Sequence, residues 1–286
     1  MKKIIILTLV FLLCITGVLN AQENLKIYFL DVGQGDASVI ISPSGKVAMI
    51  DSGPDENLIL NYLKNLNISH IDLLIASHGH SDHITGMDKI IIKYKPKAFI
   101  DSGFPYTTNT YERMISAIEQ NHINHHEGTS RKVNLGSLIF TILPPVNPFI
   151  PVSALNNNSM VVRLDYNDFS CLFAGDIEKE REEQLITEVR NSLNIDILKV
   201  GQHGSCYSSS PLFVQSVKPE MAVICCGQGN KYGHPHQETL NLLQSMGISI
   251  YRTDLNGTIL IETDGINYQV FSEKTNIGVP SSSKKD

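Results

Sequence analysis

The sequence predicts an α/β fold in which two sheets pack face to face between outer layers of helix. Three observations carry that expectation. Strand-like and helix-like segments alternate from Leu25 onward, adjacent strands open each half of the chain, and 286 residues suffice to bury one large core or two modest ones.

Leu25 to Asp31, Ala37 to Ile41 and Lys46 to Ile50 read as strands, the last two joined by a turn at Pro43-Ser44-Gly45. Leu58 to Leu66 carries helical periodicity and Ile71 to Ala76 is a continuous apolar strand. Ile84 to Tyr94 reads as the next helix, Lys97 to Asp101 as a strand and Tyr111 to Asn121 as another helix. The second half repeats the plan with strands at Leu138 to Leu143, Ser159 to Asp165 and Phe169 to Ala174, then a charged helix from Ile177 to Val189. Ile195 to Val200 is a strand, and Pro211 to Val217 a short helix with Ser210 as N-cap and Pro211 at the first helical position. Met221 to Cys225 is a strand, Glu238 to Met246 a helix, and Ile248 to Tyr251, Thr258 to Glu262 and Ile266 to Phe271 closing strands. Residues 273–286 form a polar Ser/Lys-rich tail that is expected to be flexible. Loops at strand ends then gather along one edge, where a site is expected.

With 42% hydrophobic and 18% charged residues the chain has the composition of a soluble globular protein, which argues against disorder. Its first segment departs from that average. Lys2-Lys3, an apolar run from Ile4 to Leu13 and a small-residue exit at Leu19-Asn20-Ala21 read as a secretory signal peptide over residues 1–21. The apolar run is short for a retained anchor, and Leu13 is a poor residue to precede a lipidated Cys14. The expected location is periplasmic or extracellular, with no stable membrane span after cleavage and no protein partner inferred. Removing Lys2 and Lys3 leaves 21 basic against 29 acidic side chains, a net charge of about −8 that argues against strong nonspecific nucleic-acid affinity. Cys171, Cys206, Cys225 and Cys226 are too few and too scattered for a disulfide framework and are expected to be mostly buried thiols.

Directly after the apolar strand Ile71 to Ala76 stands His78-Gly79-His80-Ser81-Asp82-His83, four good metal ligands in six residues. Three imidazoles and a carboxylate suit zinc or another borderline divalent ion, and ligands this close cannot all face one ion, so the spacing points to two ions side by side and to hydrolytic chemistry. A second apolar strand ends at Ala174-Gly175-Asp176, where a carboxylate is suited to bridge two ions and also to cap the helix that follows. A third opens into the Gly-flanked His203 of Val200-Gly201-Gln202-His203-Gly204.

These motifs resemble the metallo-β-lactamase superfamily, and within it the β-lactamase-like domain of ComEC competence proteins. The matching pieces are Phe29 to Ala37, Ile50-Asp51-Ser52-Gly53, Ser77 to His83, Asn158-Ser159, Gly175-Asp176, His203-Gly204-Ser205 and Tyr232-Gly233-His234-Pro235, in family order across nearly the whole chain after residue 21. The resemblance implies a four-layer αβ/βα sandwich over residues 22–272 that holds two divalent ions, with zinc expected and manganese the alternative. By that resemblance His78 and His80 hold the first ion and Asp82, His83 and His203 the second, with Asp176 bridging and a water between the ions as nucleophile. Asp31 and Asp51 would orient ligands and loops, Asn158 would orient water or substrate, and His234 would contact substrate; Asp82, Asp176, Asn158 and His234 are the candidate catalytic residues.

The chain departs from the family at Gln202, where a histidine is usual, and at Thr85, where glycine is usual, which puts substrate clearance at issue. His122, His125 and His126 lie in a polar stretch and read as solvated, whereas Tyr207, Ser205, Ser208 and Ser209 read equally well as phosphate donors and as turn residues. The function implied is an exported phosphodiesterase or nuclease, its substrate DNA or a cell-envelope polymer. Two alternatives stay open: a phosphorylcholine-esterase-like cell-wall hydrolase, and a noncatalytic metal-containing module that binds DNA or the envelope.

Overall fold

Along β1 (Leu25–Phe29) Leu25, Ile27 and Phe29 are buried while Lys26 and Tyr28 are only partly covered, the two-residue alternation of a strand with one face on a core. The computed structural model describes residues 24–189, 194–274 and 279–280; the expected signal segment lies outside them. After β1 come β2 (Ala37–Ile41), β3 (Val47–Ser52), α1 (Glu56–Asn65), β4 (Leu73–Ile75), α2 (Ser81–Ile84), α3 (Met87–Tyr94), β5 (Ala98–Asp101), α4 (Asn109–Gln120) and β6 (Asn124–Glu127). The chain continues through β7 (Arg131–Leu135), β8 (Leu138–Leu143), α5 (Ala154–Asn157), β9 (Val161–Tyr166), β10 (Phe169–Phe173), α6 (Lys179–Val189) and β11 (Ile197–Lys199). A 3-10 turn at Gly201–Gly204, α7 (Pro211–Val217), β12 (Met221–Ile224), α8 (Gln237–Ser245), β13 (Ser249–Arg252) and α9 (Thr253–Asn256) precede β14 (Ile259–Thr263), β15 (Tyr268–Ser272) and β16 (Val279–Pro280).

Helix starts follow local chemistry. Asp55 caps α1 by accepting from the N–H groups of Asn57 and Leu58, and Ser210 caps α7 with Pro211 just inside it, as the sequence leads one to expect.

Among the described residues one sheet runs β16-β15-β14-β1-β2-β3-β4-β5-β6 and the other β13-β12-β11-β10-β9-β8-β7. The last strands do not extend the second sheet: β14 pairs antiparallel with β1, so the chain crosses back to close the first sheet. Lys274, in the stretch expected as a flexible tail, pairs with Asp31, and β16 adds an edge to β15. Two edge strands, β6 and β7, escape the sequence reading because their residues are polar and largely exposed.

Three apolar slabs define four layers. Leu25, Ile27, Phe29, Phe140, Val162 and Phe173 fill the space between the sheets. Leu74, Phe99, Ile59, Leu63 and Met114 bind the first sheet to its helices, and Leu172, Leu198, Leu185, Phe213 and Leu243 bind the second to its own. Within β4 Leu73 and Ile75 face the other sheet and Leu74 faces helix, which is why a strand buried on both sides reads as a continuous apolar run.

A repeated device fixes the central strands. Asp72, just before β4, accepts the Val47 N–H at 2.9 Å, and Asp196, just before β11, accepts the Ser170 N–H at 2.7 Å. Each carboxylate pins its own parallel strand to its neighbour, β4 to β3 and β11 to β10. The carboxyl ends of those four strands then meet at one edge, where open α/β sheets present ligand sites.

Candidate metal centre

Every candidate ligand follows one of these strand ends. β4 runs into Ser77 and His78, α2 carries Asp82 and His83, β10 runs into Asp176, and the turn after β11 carries His203. Gly79 separates two histidines because the Tyr106 ring lies against it: a Cβ there would stand 2.4 Å from Tyr106 Cγ. Gln202 and His203 both adopt left-handed backbone angles, φ 44° and 55°, which turn the His203 ring back into the interior.

Asp176 Oδ2 is the focus of the arrangement. His83 Nε2 lies 3.4 Å from it, His203 Nε2 3.6 Å and His78 Nε2 3.7 Å. His80 Nδ1 is 2.9 Å from His78 Nε2, and Asp82 Oδ2 is 3.4 Å from His203 Nε2. His78, His83, His203 and Asp176 are buried, while His80 and Asp82 are partly open to a cavity of about 280 Å³. Among the described residues His83 Nε2, His203 Nε2 and Asp176 Oδ1 have no hydrogen-bond partner. Buried polar atoms normally find partners, so two imidazole nitrogens and a carboxylate oxygen left unpaired in one cluster fit a bound cation.

Protonation points the same way. Burial works against a charged imidazole, yet Asp176 and Asp51 hold His83 well above its ordinary value, and Asp176 and Asp36 push His203 up to about 10. Burial likewise opposes the Asp176 carboxylate, but His83 and His203 hold it well below the usual range. Without a metal, protons on the rings balance the carboxylates; a divalent ion would replace them.

The opposite ring edges are held from behind. Asp51 accepts from Ser77 N–H and Oγ, both at 2.7 Å, and its Oδ2 lies 2.8 Å from His83 Nδ1. His203 Nδ1 is 3.0 Å from the Cys225 carbonyl and 3.2 Å from Asp36 Oδ1. Asp36 belongs to the same cluster by distance, but it meets the Nδ1 edges and is paired with the buried Lys199. It therefore orients rings instead of facing the centre. Its own loop touches the histidine run: Asp36 N–H donates to the Asp82 carbonyl at 3.1 Å, and a Cβ on Gly35 would stand 2.3 Å from that oxygen.

Several expectations need correction. Among the described residues Asp31 pairs with Lys274 at 3.1 Å and with no site residue; the orienting expected of Asp31 falls to Asp36, which the sequence reading did not single out. Asn158 is wholly buried, accepts from Ile150 N–H, donates to the Ile150 and Ala154 carbonyls and does not line the cavity, so it holds a loop. Asn156 lines the cavity instead, its Oδ1 unpartnered, and Ser159 Oγ supports the Asp176 N–H. Thr85 does not line the cavity; its hydroxyl donates to the Ser81 carbonyl at the end of α2.

Gln202 lines the cavity, with its Nε2 donating to Glu178. His234 lines it too, stacked 6.1 Å from the His203 ring, and burial with His203 nearby lowers its pKa to about 4. His125 lies on β6 beside Asp101, and none of His122, His125 and His126 lines the cavity. Ser208 donates to the Ile177 carbonyl and Ser205 accepts from Tyr207 N–H, which are turn roles. The cysteines are free among the described residues, and Cys206 alone is exposed. A larger groove of about 840 Å³ lies between residues 146–151 and α6, but no histidine lines it.

The sequence matches the metallo-beta-lactamase superfamily model over residues 30–228. It is 31% identical to ComE operon protein 3 of Bacillus subtilis over 273 residues, covering 88% of this chain and 34% of that protein. It is 30% identical to Recombination protein 2 of Haemophilus influenzae, covering 88% and 31%. The chain thus spans about one third of the length of these curated relatives. Among solved structures, the metallo-beta-lactamase fold protein YhfI from Bacillus subtilis superposes with a TM-score of 0.55 at 11% identity, covering 84% of this chain and all of that one. A diphosphatase of the PhnP family superposes with a TM-score of 0.51 at 15% identity, covering 84% and 98%. The family match over most of the chain, on a four-layer sandwich with a candidate ligand cluster at its strand ends, shows that this chain belongs to the metallo-beta-lactamase superfamily.

Proposed function

We propose that the protein is an exported phosphodiesterase that works with two divalent ions. The observation that supports this most is the convergence of the Nε2 atoms of His78, His83 and His203 on one oxygen of Asp176, with ligand atoms unpaired inside a buried site. His78 and His80 would hold one ion, Asp82, His83 and His203 the other, and Asp176 both. A His and carboxylate set without thiolate suits zinc, with manganese the alternative.

Ions bound there would supply Lewis-acid activation of a phosphoryl group and of a water. The chain supplies the rest. Asp51, Asp36 and the Cys225 carbonyl fix ring orientations, so ligand geometry exists before substrate arrives. Asn156 and Gln202 offer uncharged amides on the cavity wall, and His234, neutral at ordinary pH, adds a ring that can donate to a phosphate oxygen without a charge change. The names of the competence and recombination relatives favour a DNA-like phosphodiester; a cell-envelope polymer carries the same bond. Export rests on residues 1–21. Among the described residues no helix is long and apolar enough to cross a membrane.

The test is turnover of bis(p-nitrophenyl) phosphate by the zinc- or manganese-loaded protein beside its Asp82→Asn variant. Turnover that the variant loses supports the reading. Hydrolysis of a β-lactam without phosphodiester turnover would contradict it.

A further inference from the structure

Tyr232 and His234, from the loop 227–236, line the cavity as part of an aromatic column. The Tyr232 ring stacks on His234, with centroids 5.6 Å apart and planes 20° apart, and His234 stacks on His203 at 6.1 Å and 29°. His236 meets His234 edge-on at 4.9 Å. The column runs from the metal centre to solvent, and its outer ring, Tyr232, is 53% exposed.

This exposure is not looseness. Asn230 knots the loop: its Nδ2 donates to the carbonyls of Gly227 and His234 at 2.9 and 2.6 Å, and its Oδ1 accepts from the N–H groups of Tyr232 and His234 at 3.1 and 3.0 Å. All four hydrogen-bonding positions of one amide hold the segment that carries both rings. His236 adds a second tie, its Nδ1 accepting from Cys206 N–H at 2.9 Å. A ring held by such a knot at a cavity mouth, packed against His234 and with an exposed lysine beside it, is a preorganised stacking surface.

The side chain beside it decides what stacks there. Lys231 Nζ lies 5.0 Å from the Tyr232 centroid. A quaternary ammonium would have to share the electron-rich ring face with that cation and would be repelled by it. A planar uncharged base meets no such repulsion, and the exposed lysine beside it can pair with the anionic backbone next to the base.

We propose that Tyr232 is the stacking platform for a nucleobase adjoining the scissile phosphate, with Lys231 on the neighbouring phosphate, so that the site selects nucleoside phosphodiesters over choline phosphodiesters. The inference rests on the phosphodiesterase reading for its chemistry, but its base preference is measurable by binding alone. Tyr232 acts here as a specificity-determining residue.

The experiment compares the zinc-loaded full chain on a thymidine decamer and on a decamer of identical charge with abasic tetrahydrofuran units, reading kcat/KM and, by fluorescence anisotropy, Kd. The thymidine decamer should be favoured by about 5- to 150-fold, the equivalent of about 1–3 kcal/mol for one stacked base. Tyr232→Ala should bring the two values together by lowering that of the thymidine decamer, and Tyr232→Trp should keep them apart. Equal values in the wild type, a preference that survives Tyr232→Ala, or faster turnover of p-nitrophenyl phosphorylcholine would overturn the platform. Turnover of both decamers without a preference would sink the platform and leave the phosphodiesterase. Preferential binding of thymidine with no turnover would do the reverse.

Discussion

His83 Nδ1 lies 2.8 Å from Asp51 Oδ2, and this contact sets which ring nitrogen is left for the centre. With Asp51 accepting from Nδ1–H, it is Nε2, 3.4 Å from Asp176 Oδ2, whose proton an ion would displace and whose lone pair it would use.

Asp51→Asn therefore tests orientation without disturbing the backbone. Asp51 sits at φ 58°, a left-handed conformation that asparagine also tolerates. An amide can present the wrong atom to Nδ1, so ion affinity should fall by about 10- to 100-fold while the circular dichroism spectrum stays that of the wild type. An unchanged metal dissociation constant would show that Asp51 does not orient the ring.

Asp36 and Lys199 form a buried ion pair that links the β1–β2 loop to β11. Burial works against the Lys199 charge, and Asp36 keeps it protonated. Lys199→Met removes the nearest cation from the buried Asp36 carboxylate, leaving only the His203 and His83 rings to offset it, and should cost about 3 kcal/mol in denaturant unfolding. Adding Asp36→Asn should recover part of that loss, since the second change removes the stranded charge. If the double variant is no more stable than the single one, the pairing is not what holds these loops together.

His203 and its neighbour Gln202 separate cleanly. Gln202 Nε2 donates to Glu178 Oε1 at 3.0 Å, whereas His203 Nε2 lies 3.6 Å from Asp176 Oδ2. His203→Ala should lose one ion per chain and Gln202→Ala should keep both, counted by elemental analysis. The reverse pattern would exchange their roles.

Asp72 makes a prediction about pH away from the centre. Burial opposes its carboxylate, but Lys97 and the Val47 N–H outweigh burial and lower its pKa. A lowered carboxylate pKa contributes stability above the unfolded value of about 3.9 and loses it as pH falls toward the folded value. Asp72→Asn should be less stable than wild type by about 1–2 kcal/mol at pH 7, and the gap should close as the pH drops below about 4. A gap independent of pH would assign the effect to shape and not to charge.

Much of the fold was legible because mostly apolar segments such as Leu73 to Ala76 and Leu138 to Leu143 are stabilised as strands covered by a core. The crossing of β14 back to β1 was not, since alternation fixes a strand's faces but not its sheet. β6 and β7 were hidden because exposed edge strands need no apolar face. At the centre, His78, His80, Asp82, His83, Asp176 and His203 stand out by residue type, and the chain does bring them together. Asn158 and Asn156 differ only in which way a turn points them, which residue type does not reveal. Lys199 left a signal, a lone charge in the apolar run Ile197 to Val200, whose meaning depends on Asp36, 163 positions away in sequence.

The most direct measurement is the metal content of the purified protein after supplementation with zinc or manganese. The ligand atoms around Asp176 predict close to two divalent ions per chain, falling sharply in Asp176→Ala with the fold retained. A reproducible content near zero in the wild type, or an Asp176→Ala variant that still holds two ions, would contradict the account.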